Sequence, residues 1–181
     1  MPTQTAVAAD ELLRLPRGAV RRELVEGVLV EVEPAGFEHG DIAAEIGLRL
    51  RLLAKDSGLG RVVAAETGFR LARDPDTVRS ADAAFVRADR LPPRAQWGRF
   101  LDLAPDLAVE VVSPSDRLAD VRAKAREWLT AGTRAVWVVL PGDRAVEAYT
   151  ASGVARREAG DVLEGGDVLP GFHVSVGDLF R

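Results

Sequence analysis

The stretch DLAVEVVSPSD, Asp106 to Asp116, decides how this chain is read. Leu107, Ala108, Val109, Val111 and Val112 form a short apolar run that ends in a turn-forming segment, the pattern of a buried strand. Glu110 stands in the middle of it. A bare carboxylate in an apolar interior is costly unless it is paired, hydrogen-bonded or bound to a metal. The rest of the chain has to supply whichever of these holds Glu110.

Downstream, SDRLADVRAKAREWLTAG reads as a helix, with Ser115 or Asp116 as N-cap and Gly132 as its stop. Its buried stripe is Leu118, Val121, Ala125, Trp128 and Leu129. RAVWVVL is a second buried strand, and RAVEAYT follows it after the turn PGD. Two more short extended pieces close the chain, with turns at Gly165-Gly166 and Pro170-Gly171. Upstream, RVVAAETGFRL (61–71) and VRSADAAFVR (78–87) are strand candidates, and RLPPRAQWGR is a loop between the second of them and DLAVEVV. EHGDIAAEIGLRLRLLAKDSG places Ile42, Ile46, Leu50 and Leu53 on one helical face and ends at Gly58. RRELVEGVLVEVEP alternates around Glu26-Gly27 as a β-hairpin, and AADELLRLP is a short helix stopped by Pro16. The middle of the chain thus runs α-β-β-β-α-β. That order predicts an α/β protein with a mixed sheet and helices on its faces. One domain over 1–181 is expected, with a core of about 20–150, the hairpin before it, a short N-terminal helix and a C-terminal β extension.

Composition narrows the chemistry. The 181 residues are 47% hydrophobic and 29% charged, an ordinary globular balance. The net charge of -4 argues against a broadly basic nucleic-acid binder. The acidity lies in the ends, however, and residues 41–140 hold 16 basic against 14 acidic side chains. Without Cys there is no disulfide, thiolate zinc site or Cys nucleophile, and two distant histidines make no zinc triad. SPS is not a G-x-S-x-G elbow, and no Gly-rich phosphate loop is present. No apolar run approaches the ~20 residues of a membrane span, and the start lacks the features of a signal peptide. The expectation is a soluble cytoplasmic protein.

Asp82 sits in VRSADAAFV much as Glu110 sits in LAVEVV, one carboxylate in a small, apolar strand. On neighbouring strands, about 4.8 Å apart, the two would come within reach of one cation. A hard divalent ion such as Mg²⁺ takes oxygen ligands and keeps several waters, so two carboxylates suffice. The competing reading pairs Glu110 with an arginine or lets it project from an edge. Lys124 lies one turn before Trp128, on the flank of the buried stripe. Its stem can run along apolar surface and deliver an ammonium to the end of the sheet, or it can be an ordinary snorkelling lysine. Of 24 basic residues only Lys55 and Lys124 are lysine, so a retained lysine is itself a hint that an ammonium is needed.

ELVEG (23–27), EHG (38–40), RSADAAFV (79–86), APDLAVEVVSPSD (104–116), DVRAK (120–124) and AGTRAVWVV (131–139), in that order, resemble the Uma2 family of the PD-(D/E)XK restriction-endonuclease-like superfamily. The resemblance covers roughly 20–180 and implies that superfamily's α-β-β-β-α-β core. It matches Asp82 and Glu110 to the acidic residues of the two motifs, although Ala81 replaces the usual Pro. Val112 stands where the superfamily's lysine would be, and Lys124 matches a lysine moved to the following helix. Glu23 matches a further family glutamate, catalytic on one reading and a solvated strand charge on the other. His39 matches a family histidine, read first as helix-end packing; Asp120 would orient the Lys124 region or the helix start, and His173 is read as structural.

What the resemblance implies is an endonuclease that cleaves DNA with Mg²⁺ or Mn²⁺. Asp82, Glu110 and the Val111 carbonyl would hold the metal, and Lys124 would orient water or neutralise developing charge. Arg117, Arg122 and Arg126 would contact backbone phosphates. A homodimer is compatible with this, since one small site cuts one strand. Two rivals stay open: a catalytically inactive nuclease-fold module for binding or assembly, and a metal hydrolase acting on another phosphate ester.

Overall fold

The alternation inside the two most apolar runs builds the centre of the molecule. In the strand Leu107–Val111 (β7), Leu107, Val109 and Val111 face one way and Ala108 and Glu110 the other. The parallel strand Ala135–Leu140 (β8) lies beside it with Val109 opposite Trp137 and Glu110 opposite Val138. Both faces are covered, which is why both runs are nearly unbroken apolar sequence. The structure is a computed structural model that describes residues 6–16 and 20–181.

The remaining elements, in chain order, are α1 (Ala9–Arg14), β1 (Arg21–Val25), β2 (Val28–Val32), α2 (Phe37–Asp56), β3 (Gly60–Ala64), β4 (Gly68–Ala72), β5 (Thr77–Ser80), β6 (Ala83–Arg87), α3 (Leu118–Thr130), β9 (Ala145–Thr150), β10 (Gly153–Arg157), β11 (Val162–Glu164) and β12 (His173–Ser175). A six-stranded sheet runs β10-β9-β8-β7-β6-β3, and a four-stranded antiparallel sheet runs β2-β1-β5-β4. Within the larger sheet the order α2-β3-β6-β7-α3-β8 is the α-β-β-β-α-β core expected from the pattern, with the α3 crossover joining the one parallel pair.

α2 lays Ile42, Ile46, Leu50 and Ala54 on one face of this sheet, over Val62, Phe85, Val109 and Trp137. The tail after β10 closes the same layer, burying Leu163, Leu169, Phe172 and Leu179 and setting Phe172 5.3 Å from Trp137. α3 covers the opposite face through Ala125 and Trp128, and Phe69 of β4 meets the Trp128 ring edge-on. The C-terminal extension is therefore part of the core.

Two strand expectations need correction. Residues 61–71 are two strands, β3 and β4, in different sheets, and the break passes through Glu66 at positive φ. Residues 78–87 are likewise β5 and β6 in different sheets. Ser80, Ala81 and Asp82 carry the chain across, so Asp82 stands at the entrance to β6 and not inside a strand. Local pattern marks a strand without saying which neighbour it pairs with, so it is blind to a change of sheet. The tail holds three short strands where two were expected. The additional one, β10, is an edge strand whose sequence GVARR is mostly exposed and carries no buried stripe.

The hairpin β1–β2 turns at Glu26 (φ 49°) and Gly27 (φ 78°), the paired positive φ of a two-residue turn that suits strand twist. A Cβ on Gly27 would also lie 2.6 Å from the Ala6 Cβ. Gly27→Ala is expected to cost about 1–2 kcal/mol for the left-handed backbone. A thermal melt should drop by about 2–4 °C per kcal/mol in a chain of this size. An unchanged melt would mean that the turn relaxes freely.

Candidate active site

Four elements deliver the site. β7 brings Glu110, the β5–β6 crossover brings Asp82, β1 brings Glu23 and α3 brings Lys124. Because β6 and β7 are antiparallel neighbours, Asp82 at the start of one lies beside Glu110–Val111 at the end of the other. The Val111 amide donates to Asp82 Oδ2 at 2.8 Å, and the Asp82 amide donates to the Val109 carbonyl. His39, in the first turn of α2, places Nε2 3.1 Å from the same Oδ2. An ionised carboxylate only accepts, so the ring donates.

Glu110 projects toward α3. The indole Nε1–H of the fully buried Trp128 donates to Glu110 Oε1 at 2.7 Å, and the Lys124 ammonium lies 3.1 Å from the carboxylate. Lys124 also donates to the Ser80 carbonyl at 2.8 Å and to Glu23 Oε1 at 3.2 Å. Glu23 is 2% exposed; it accepts from the Ser80 amide and from Arg79, whose guanidinium also grips Glu127. Charges alternate along one line: Glu110, Lys124, Glu23, Arg79, Glu127.

Burial pushes the Glu110 carboxyl up to about 7; Lys124 opposes this, while Asp82 and Glu23 add to it. Burial also works against ionised Glu23, but Lys124 and Arg79 outweigh it and hold that carboxyl below its usual range. Asp82 is likewise held low, against burial, by His39 and the Val111 amide. Lys124 keeps its proton more firmly than usual despite burial, because Glu110 and Glu23 face it. The His39 ring gains proton affinity chiefly from its hydrogen bond to Asp82.

These placements correct several expectations. Glu23 is no solvated strand charge, since it is walled in by Lys124, Arg79 and Ser80. Lys124 does not snorkel: its side chain is 17% exposed and all three ammonium hydrogens have acceptors. His39 bonds Asp82 and does more than pack a helix end. Asp120 is exposed, and its nearest cation is Arg117 at 3.9 Å, so it sits at the helix start and outside the cluster. His173 is exposed, its Nδ1 against the Gly171 carbonyl.

Of the three arginines expected at a phosphate backbone, Arg117 is exposed, and Arg126 is exposed with one contact to the Arg122 carbonyl. The Arg122 guanidinium is bound to Glu147, which is itself 5% exposed and also holds the Tyr149 hydroxyl. Sequence reasoning overlooked Trp128 as a partner of Glu110, and Arg79 and Ser80 as partners of Glu23. Trp128 had a signal: it stands one helical turn after Lys124, and a buried indole N–H needs an acceptor.

A groove of about 380 Å³ between α2 and β3 opens onto His39 and Asp82, with Arg51, Leu48 and Val63 along it. A second, of about 450 Å³, lies on the other side of His39 beside Val112, Ser113 and Pro114. Among the described residues no three His, Cys, Asp or Glu side chains form a ready metal cluster, and no helix is long and apolar enough to cross a membrane.

Asp82→Asn tests how the crossover carboxylate is held. Its folded-state pKa is depressed, so it contributes stability above its unfolded pKa and loses that stability as pH falls into the acid range. The variant is expected to lose about 1.5–3 kcal/mol at pH 7, the scale of a charged hydrogen bond, and to show a flatter acid limb. Parallel acid melts of both proteins check this. Overlapping acid limbs would show that Asp82 is not held in ionised form.

The fold and the site together define a class, a nuclease-like α/β protein. The chain superposes with a TM-score of 0.82 on a crystal structure of a "putative nuclease" from Anabaena variabilis, at 21% identity, over 96% of this chain and 97% of that one. No curated protein matches the sequence. The chain belongs to the Uma2 family, whose description is "Putative restriction endonuclease" and whose model matches residues 9–177.

Proposed function

We propose that this protein is an endonuclease that hydrolyses DNA phosphodiester bonds with Mg²⁺ or Mn²⁺. The observation that carries the reading is the gathering of Asp82, Glu110 and Lys124 from three elements, with Asp82 and its partner His39 at the wall of a groove. Family membership and the nuclease-like fold support it.

The donors suit a hard divalent cation. Asp82 and Glu110 offer only oxygen, the Val111 carbonyl would be a third oxygen donor, and the contacts of Asp82 use Oδ2 alone. Burial and the neighbouring Asp82 push Glu110 up to about 7, which also favours an added positive charge. When bound, such a cation polarises the phosphoryl oxygen and lowers the pKa of a bound water.

The chain's own residues do the remaining work. Lys124 and Trp128 fix the Glu110 carboxylate in position, and Lys124 works against the burial that pushes that carboxyl up to about 7. Glu23 and the Ser80 carbonyl hold Lys124, so Glu23 acts as a positioning residue. His39 and the Val111 amide orient Asp82. Arg51 on the groove wall would meet a backbone phosphate. Arg117 and Arg126 keep exposed guanidiniums for further phosphate contacts. A cytoplasmic protein that pairs as a homodimer to cut both strands completes the reading.

The test is cleavage of supercoiled plasmid and of labelled single- and double-stranded DNA in Mg²⁺, Mn²⁺ and EDTA, beside a salt titration of DNA affinity. Cleavage only with the metals, and affinity that falls steeply with salt, are expected. Salt-dependent affinity without cleavage would select an inactive binding module. Neither cleavage nor affinity would end the DNA reading.

A further inference from the structure

Three cationic side chains adjoin Glu23, and two of them hydrogen-bond it. Lys124 directs its three N–H groups at Glu23, Ser80 and Glu110. Arg79 uses Nε, Nη1 and Nη2 on Glu127 and Glu23. Arg21 differs. Its nearest carboxylate atom is Glu23 Oε1, 3.9 Å from Nη2 and beyond hydrogen-bond reach. Its Nε is buried and has no partner among the described residues.

The placement of Arg21 is specific. It stands two residues before Glu23 on β1, so both side chains leave the same face of the strand. Arg22 leaves the opposite face, toward Glu31 of β2. Arg21 is a quarter exposed, and its charge reaches the His39 ring that bonds Asp82. A guanidinium without a hydrogen-bonded carboxylate thus lies beside Glu23, the partner of Lys124, and its charge is felt at His39. A buried donor without an acceptor is costly, so an incoming acceptor gains by meeting it. The planar fork of arginine matches two oxygens of a phosphate.

We infer that Arg21 takes the non-bridging oxygens of the substrate phosphodiester, holding it against Asp82 and Glu110. The inference rests on the nuclease reading above and adds the residue that grips the phosphate, a task Lys124 cannot take while its donors are all occupied. If Arg21 serves only as a loose partner of Glu23, its removal changes stability and leaves DNA affinity alone.

The experiment compares wild type, Arg21→Gln and Arg22→Gln, two variants with the same change of net charge on opposite faces of one strand. Affinity for a labelled duplex is titrated against salt in Ca²⁺, cleavage kinetics are measured in Mg²⁺ and Mn²⁺, and a melting curve is taken for each protein. Arg21→Gln is expected to reduce the slope of log K against log salt by about 0.9, one phosphate contact. It should lower kcat by about 10²-fold, the loss of one transition-state donor. Arg22→Gln should match wild type in both. Equal behaviour of the two variants, or activity lost only in proportion to unfolded protein, would overturn the assignment. A wild type that binds but never cuts, with the slope still reduced in Arg21→Gln, would keep Arg21 as the phosphate contact and remove the catalytic reading.

Discussion

Lys124→Met is expected to lower the stability of the metal-free protein by about 3–5 kcal/mol, the range for removing one partner of a buried ion pair. Its ammonium is the cation shared by Glu23 and Glu110, both nearly inaccessible to water, and it also satisfies the Ser80 carbonyl. Methionine keeps a flexible apolar stem of similar length, so the loss isolates the charge. Glu23 retains Arg79, whereas Glu110 is left with the Trp128 indole N–H alone. Glu110 can then escape only by taking up a proton. Its carboxyl, already pushed to about 7, moves higher still, so the penalty is larger at pH 8 than at pH 6. In thermal melts with EDTA the drop is on the order of 10 °C at pH 8. Mn²⁺ should restore more of it in the variant than in wild type, because the ion supplies the missing positive charge. A variant that melts within a degree or two of wild type at pH 8 would show that Lys124 does not compensate the carboxylates.

Glu110→Gln is expected to move stability and activity in opposite directions. The folded-state pKa of Glu110 is raised, so the stabilising share of the protonated form is complete below the unfolded pKa and is lost as pH rises through about 7. At pH 8 the metal-free wild type therefore carries an unfavourable buried charge that glutamine lacks. The amide oxygen can still accept from Trp128, and Lys124 still has Glu23 and Ser80. The variant should melt above wild type at pH 8 by about 1–3 kcal/mol, since one pKa unit is worth about 1.4 kcal/mol, and should lose the advantage at pH 5. Cleavage should fall by about 10²–10³-fold, the scale of removing one charge-stabilising group. A carboxylate that costs stability and is required for turnover is present for chemistry. Glu110→Gln with wild-type cleavage would take Glu110 out of the site, and a lower melt at pH 8 would make it structural.

Much of this arrangement was legible in the order of residues. The paired apolar runs around Val109 and Trp137, the helical spacing of Ile42, Ile46 and Leu50, and the Glu26-Gly27 turn are local patterns, set by the pleat, the helical turn and the left-handed region of φ. They suffice for an α/β core, and for suspecting Asp82 and Glu110, because a carboxylate in an apolar strand is conspicuous wherever the strand lies. They could not reveal that 61–71 and 78–87 each change sheets, since alternation is the same whichever neighbour a strand pairs with.

Nor could they say what each charge touches. Glu23 meets Lys124 across 101 residues, and His39 meets Asp82 across 43. Such pairings depend on which sheet edges and helix ends the fold brings together. The answer to Glu110 shows the division. Its sequence required that something compensate a buried carboxylate. Only the packing of α3 on β7 decided that Lys124 and the Trp128 indole would do so, because burial is a property of the chain's composition and pattern, while partnership is a property of distance in the folded molecule.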